Sequence, residues 1–157
     1  MEILAMRILL AVDDSEFSKA ATEMLMNAIK PEHTEVHIFH VVESIKLMPP
    51  AYSFGTGVAF AEDYTSIIQE WRSQGEALVS RTAKALQAAG FTTKTIVREG
   101  DAKTSILEYA DEWHPDLIII GSHGRKGLDR FLLGSVSDAV ARHARCSVQI
   151  VRLRSNK

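Results

Sequence analysis

The chain has 157 residues, an ordinary length for one domain and enough to bury a hydrophobic core. Its hydrophobic fraction of 46% and charged fraction of 24% exclude a disordered or membrane-embedded class and favour a soluble globular protein. A net charge of -2 produces a field too weak to recruit nucleic acid or an anionic membrane. Any anion-binding site must therefore be local.

Cysteine content and the first residues indicate a cytoplasmic protein. The single cysteine, Cys146, excludes an internal disulfide and a cysteine-based metal cluster, and we interpret it as a small buried side chain. Residues 1–5 form no secretory signal because they lack a basic start and Arg7 interrupts the apolar run, so we interpret them as a flexible leader. The apolar runs are too short to cross a bilayer.

The first half of the chain predicts two strands and two helices. Residues 7–12 form a continuous apolar run, which is typical of a strand buried on both faces. The sequence Asp13-Asp14-Ser15 then starts a helix that Pro31 ends, and residues 36–42 form a second strand. Residues 43–63 lack periodicity and are predicted to be a long loop before an amphipathic helix over 64–89.

The second half repeats the alternation. A more polar strand over 92–97 suits a sheet edge, and Gly100-Asp101 starts a helix that Pro115 stops. Residues 116–120 form an apolar fourth strand, which a glycine-rich loop joins to a helix over 135–143. A fifth strand follows over 147–152. Alternating strands and helices predict one α/β domain over 1–157, with a parallel sheet and helices on both faces.

A strand order of 3-2-1-4-5 places the topological switch point between strands 1 and 4. Ligands of open α/β sheets bind beyond the carboxyl ends of the strands at this point. Asp13 follows strand 1 and Gly121 follows strand 4, so these two positions mark the predicted site.

The loop after strand 4 has the features of a phosphate site. Glycines allow a ligand to approach the backbone, and the helix beginning at Ser135 offers unpaired N–H groups and the positive end of its dipole. The hydroxyls of Ser135 and Ser137 would add donors, and Arg125, Lys126 and Arg130 add positive charge. The alternative is that the glycines serve only the turn and that Ser135 is a simple N-cap.

The spacing in this loop resembles that of a known family. Gly121-x2-Gly124 followed by nine residues and Gly134-Ser135 is similar to the G-x2-G-x9-G-(S/T) signature of ATP-binding universal stress proteins. The resemblance extends to the opening strand through Asp13, to the end of strand 2, and to residues 114–124. It implies a Rossmann-like fold of the adenine nucleotide alpha hydrolase type.

The resemblance also implies a ligand, ATP or AMP, with Mg²⁺ held through its phosphates. Ala11 and Asp13 occupy positions that contact the adenosine, and Val41 occupies one whose backbone contacts adenine. Family members often have proline near Ala11, so this chain departs from the pattern there. Residues 121–127 would wrap the ribose and phosphates, and the helix start would donate to the phosphates. The implied site comprises Ala11, Asp13, Val41, Gly121, Ser122, His123, Gly124, Arg125, Lys126, Gly127, Gly134, Ser135, Val136 and Ser137.

The family also implies a homodimer that pairs the fifth strand, Ser147–Leu153, with its symmetry mate. The favoured function is a nucleotide-binding sensor or regulatory module with no catalytic residue. Two alternatives remain open: a slow ATPase using the same site, and a nucleotide-free stress protein acting through protein partners. His123 is interpreted as a residue that packs or caps the turn, and the histidines lack metal-ligand spacing.

Overall fold

The fold is a doubly wound α/β sheet. The computed structural model describes residues 5–43, 58–124 and 132–153, with only the backbone described over 58–63. Five strands form one sheet in the order β3-β2-β1-β4-β5, and every neighbouring pair is parallel. The predicted fold class and strand order are therefore confirmed.

Strands and helices alternate along the chain. The element bounds are β1 Met6–Ala11, α1 Glu16–Ala28, β2 Thr34–Val42, α2 Val58–Ala88, β3 Thr92–Glu99, α3 Ala102–Trp113, β4 Leu117–Gly121, α4 Ser135–His143 and β5 Ser147–Val151.

Two hydrophobic cores flank the sheet, because alternate residues of each buried strand point to opposite faces. Ile8 and Leu10 of β1 pack with α1 and α2 on one face, whereas Leu9 and Ala11 pack with α3 and α4 on the other. Such double burial explains the uninterrupted apolar sequence of the central strands. The edge strand β3 is more polar and largely exposed or half-buried, as predicted.

Helix α2 begins earlier than expected. It starts at Val58 and runs for 31 residues, so the prediction of loop structure over 58–63 is wrong. Gly57 is the last glycine or proline before this stretch, and nothing in residues 58–63 opposes helix formation. Of the rest of the predicted loop, Glu43 is described, and residues 44–57 lie outside the described residues.

Cys146 is partly buried against the core on the α3 and α4 side of the sheet. Burial raises the pKa of its thiol, which keeps the sulfur protonated and unreactive at neutral pH. Over the described ranges, the chain contains no helix long and apolar enough to cross a membrane.

Candidate functional site

The predicted switch point brings the two marked segments together. Strand β1 lies beside β4 and parallel to it, with Ala11 opposite Ile120, so the segments that follow the two strands leave the sheet at the same end. The two segments then come very close, because a Cβ placed on Gly124 would lie 2.9 Å from Asp13 Oδ2. Glycine at position 124 therefore leaves room for the Asp13 carboxylate.

The first turn of α4 has no side-chain cap. Its N-cap is Gly134, with φ -63° and ψ 152°, and among the described residues no side chain caps the amides of the first turn. In contrast, Ser15 caps α1 by accepting from Ser18 N, and Asp101 caps α3 by accepting from Thr104 N. The α4 N-terminus thus retains the positive dipole end and donor groups that the other two helices satisfy internally.

Ser122 anchors this helix start to the sheet. Its carbonyl accepts from Gly134 N at 2.8 Å and from the Ser137 hydroxyl at 2.8 Å, and its amide donates to Val151 O at 2.7 Å. The Ser137 hydroxyl also lies 2.9 Å from Gly134 O, and Ser137 is 2% exposed. Its single proton is therefore directed to backbone carbonyls inside the protein, and the role of this hydroxyl as a phosphate donor stays a prediction. The Ser137 backbone amide lies in the uncapped turn.

Asp13 shapes the entrance to α1. Its Oδ1 accepts from Ser15 N at 3.0 Å and also from the Ser15 hydroxyl in a short hydrogen bond. The carboxylate is half-buried and its second oxygen faces Gly124. Asp13 therefore supports the local backbone and presents an acceptor at the carboxyl end of the sheet.

Gly121 permits the close contact between β4 and α1. A Cβ at this position would lie 2.8 Å from the backbone carbon of Phe17, closer than real Cβ atoms approach backbone. The first glycine of the motif is thus required by packing.

His123 packs against α1. Its ring centroid lies 5.0 Å from that of Phe17, and its Nδ1 is 3.1 Å from the Ser122 hydroxyl. Its Nε2 is buried and has no hydrogen-bond partner among the described residues. These contacts favour the interpretation of His123 as a packing residue of the turn.

The other predicted residues divide into two groups. Ala11 is 6% exposed and packs in the core on the α3 side, so its side chain faces the protein interior, and Val41 is half-buried near the same end of the sheet. Arg125, Lys126 and Gly127 lie outside the described residues.

No cluster of three or more His, Cys, Asp or Glu side chains suited to a metal occurs in the part of the chain that the structure describes.

Two residues beside the site were not singled out from the sequence. Ser18 Oγ accepts from Asp13 N at 3.0 Å, and His40 Nδ1 bonds to Val12 O at 2.8 Å. The signal in the sequence is a pair of histidines, His37 and His40, inside a largely apolar strand, and a serine on the apolar side of a helix.

Fold and site together define a doubly wound α/β domain with an uncapped helix N-terminus at its topological switch point. The chain belongs to the universal stress protein family, because the model of that family matches residues 5–152. A relative, universal stress protein A homolog 2 of Coxiella burnetii, is 38% identical over 122 residues, which are 78% of this chain and 77% of the relative.

Solved structures agree in fold. The hypothetical protein MJ0577 of Methanocaldococcus jannaschii superposes with a TM-score of 0.84 at 23% identity, covering 98% of this chain and all of that protein (100%). A universal stress protein family protein from Arabidopsis thaliana, whose crystal structure has AMP bound, superposes with a TM-score of 0.63 at 20% identity. That match covers 96% of this chain and 93% of the plant protein.

Proposed function

We propose that this protein is an adenine-nucleotide-binding module, holding ATP or AMP at the switch point and acting as a sensor or regulator. The observation that carries the proposal is the uncapped start of α4, where Gly134 leaves the first-turn amides without a side-chain acceptor. A phosphate supplies the missing acceptor and the negative charge that this helix end favours.

Position within the sheet supports the same ligand. The α4 start lies against Ser122 and His123 at the end of β4, and β4 pairs with β1, after which the Asp13 carboxylate offers an acceptor for ribose hydroxyls. A nucleotide carries a hydroxyl-bearing sugar next to its phosphates, so one molecule would satisfy both ends of the site. The AMP bound to the Arabidopsis relative supports this choice, and Mg²⁺ would accompany a triphosphate through the phosphates.

A single substitution tests the amide donors without removing a side chain from the core. Proline at Ser135 deletes the N–H of the first helical residue, and proline is well tolerated at that position. Gly134 already has the extended backbone that a residue before proline adopts. We expect Ser135→Pro to bind AMP and ATP roughly tenfold more weakly than Ser135→Ala, which loses the hydroxyl but keeps the amide, in titration calorimetry, because a charge-assisted hydrogen bond from that amide is lost.

Ala102→Pro is the matched control. Ala102 holds the same first position in α3, behind an extended Asp101 cap that lies on a different loop. This variant should bind as the wild type does. The proposal fails if purified wild-type protein neither releases an adenine nucleotide on denaturation nor gives heat with AMP or ATP.

A single-turnover assay distinguishes a binding module from an ATPase at this site. A regulatory module should bind nucleotide and release it unchanged, whereas a slow ATPase would convert bound ATP to ADP in a single-turnover assay.

We further propose a cytoplasmic location, on the composition of the chain, and a homodimer paired through β5.

A further inference from the structure

The peptide unit between Val12 and Asp13 is held at both ends. On one side, His40 Nδ1 lies 2.8 Å from Val12 O. On the other side, Asp13 N donates to Ser18 Oγ at 3.0 Å. A peptide unit is planar, so fixing its oxygen from β2 and its N–H from α1 fixes the orientation of the whole plane.

The chemistry of this contact defines the state of His40. A carbonyl oxygen only accepts, so the proton of the contact must reside on His40 Nδ1. His40 is 6% exposed and lies on the α1 and α2 side of β2, facing away from His37. The hydrogen bond to the carbonyl just after β1 explains why a polar side chain is tolerated at this buried position.

Helix α2 is shaped to accommodate this histidine. Gly75 is buried in the helix, and a Cβ added there would lie 2.5 Å from His40 Cδ2 and 3.1 Å from Nε2. Glycine is unfavourable inside a helix. A buried glycine directly over His40 lets α2 pack onto the ring without displacing it.

The held plane leads directly to the predicted ligand acceptor. Asp13 follows the fixed peptide, and its Oδ1 is restrained by Ser15 while Oδ2 faces Gly124. Rotation of the Val12–Asp13 plane would swing the Asp13 Cα and its carboxylate relative to α4. Sub-ångström placement of such groups determines how much binding energy a preorganised site delivers.

We propose that His40 is a positioning residue of the nucleotide site, acting through the Val12 carbonyl and without contact to the ligand. This inference rests on the proposed function. His40→Leu removes the donor while keeping a buried side chain of similar size, and we expect AMP and ATP to bind about tenfold more weakly in titration calorimetry. His40→Asn should keep the affinity within about threefold of wild type, because the asparagine amide places a donor where Nδ1 was.

Two further variants separate positioning from general destabilisation. Ile38→Val trims the same face of β2 and leaves both partners of the His40–Val12 hydrogen bond in place, so it should lower thermal stability and leave nucleotide affinity unchanged. Ser18→Ala releases the other end of the peptide plane and should weaken binding as His40→Leu does. It also keeps the test open if His40→Leu does not fold.

The outcomes distinguish this inference from the proposed function. Wild-type binding with undiminished affinity in Ser18→Ala and in folded His40→Leu overturns the positioning role alone. Weakening in Ile38→Val that matches its loss of stability overturns it as well. Absence of nucleotide binding by the wild type overturns both proposals. Two-bond proton–nitrogen NMR of the wild type gives an independent reading, since a proton on Nε2 and none on Nδ1 contradicts the contact.

Discussion

At the scale of single residues, the glycines of the loop have different physical requirements. Gly121 faces backbone atoms of Phe17, which cannot move without shifting α1. Gly124 faces a carboxylate oxygen of Asp13, which can move by rotation of the side chain. The same residue type in one motif thus allows close backbone packing at one position and leaves room for a carboxylate at the other. The difference is testable by adding a single methyl group at each.

Gly121→Ala should destabilise the protein by about 1–3 kcal/mol, because the added methyl forces α1 away from β4. Thermal or urea unfolding without nucleotide measures this loss. Gly124→Ala is the matched substitution, and its cost should be clearly smaller because only a side-chain oxygen must move. Equal losses for the two variants would show that the Phe17 contact relaxes without cost.

At the scale of secondary-structure elements, α3 is joined to β2 through a buried histidine. His37 Nε2 lies 2.9 Å from Glu35 Oε1, and Nδ1 lies 2.7 Å from the Tyr109 hydroxyl. The ring stacks on Trp113 with centroids 3.5 Å apart and planes 10° from parallel. Neutral imidazole satisfies both partners, with Nε2–H donating to Glu35 and Nδ1 accepting from Tyr109.

This contact predicts a pH-dependent stability. Burial lowers the pKa of His37 from its ordinary value of 6.5, and the Glu35 carboxylate opposes that shift only in part. His37 binds a proton less readily in the folded protein than in the unfolded chain. Its contribution to the free energy of unfolding is therefore fully present above pH 6.5 and declines as the pH falls below that value. Urea unfolding from about pH 8 to about pH 5 should show this decline in the wild type and a smaller one in His37→Leu. Parallel curves for the two proteins would contradict the prediction.

The elements themselves were largely predictable because their signals are local. Continuous apolar runs identify the central strands β1 and β4, and the polar pattern of β3 identifies an edge. The start of α2 at Val58 could not be predicted because the residues just before Tyr64 show no helical periodicity of apolar residues. Propensity and tertiary contacts together determine where such a helix begins, and periodicity alone does not report them.

The site was predictable in place but not in detail. Strand order locates Asp13 and Gly124 at one edge, and the glycine motif locates the α4 start. Which hydroxyl faces inward depends on three-dimensional packing, so the role of the Ser137 side chain could not be deduced from spacing. The contact from His40 joins residues 28 positions apart in the chain and has no sequence signature.

At the scale of the whole molecule, the two sheet edges differ. Strand β3 is polar, whereas β5 contributes Val148, Ile150 and Val151, which are only half-buried. Since Val151 O accepts from Ser122 N, the backbone groups of Val151 face β4. Backbone groups of successive strand residues point to alternate sides, so those of Val148 and Ile150 face outward. No strand of the described ranges pairs with this apolar edge, and such an edge is a template for pairing with another strand.

The proposed homodimer would use these outward groups, and Val148→Pro tests it. Proline removes the outward N–H and blocks strand addition, yet it leaves the bonds from β5 to β4 at positions 147, 149 and 151 in place. Val148→Ala is the matched control, because it loses comparable apolar packing and keeps the N–H. Sedimentation equilibrium should give a dimer for the wild type and Val148→Ala but a monomer for Val148→Pro. A wild-type monomer, or a dimer that tolerates the proline, would show that β5 does not form the interface. On its inner side, the same strand bonds through Val151 O to Ser122, whose carbonyl accepts from the start of α4, so nucleotide and dimer would share one structural support.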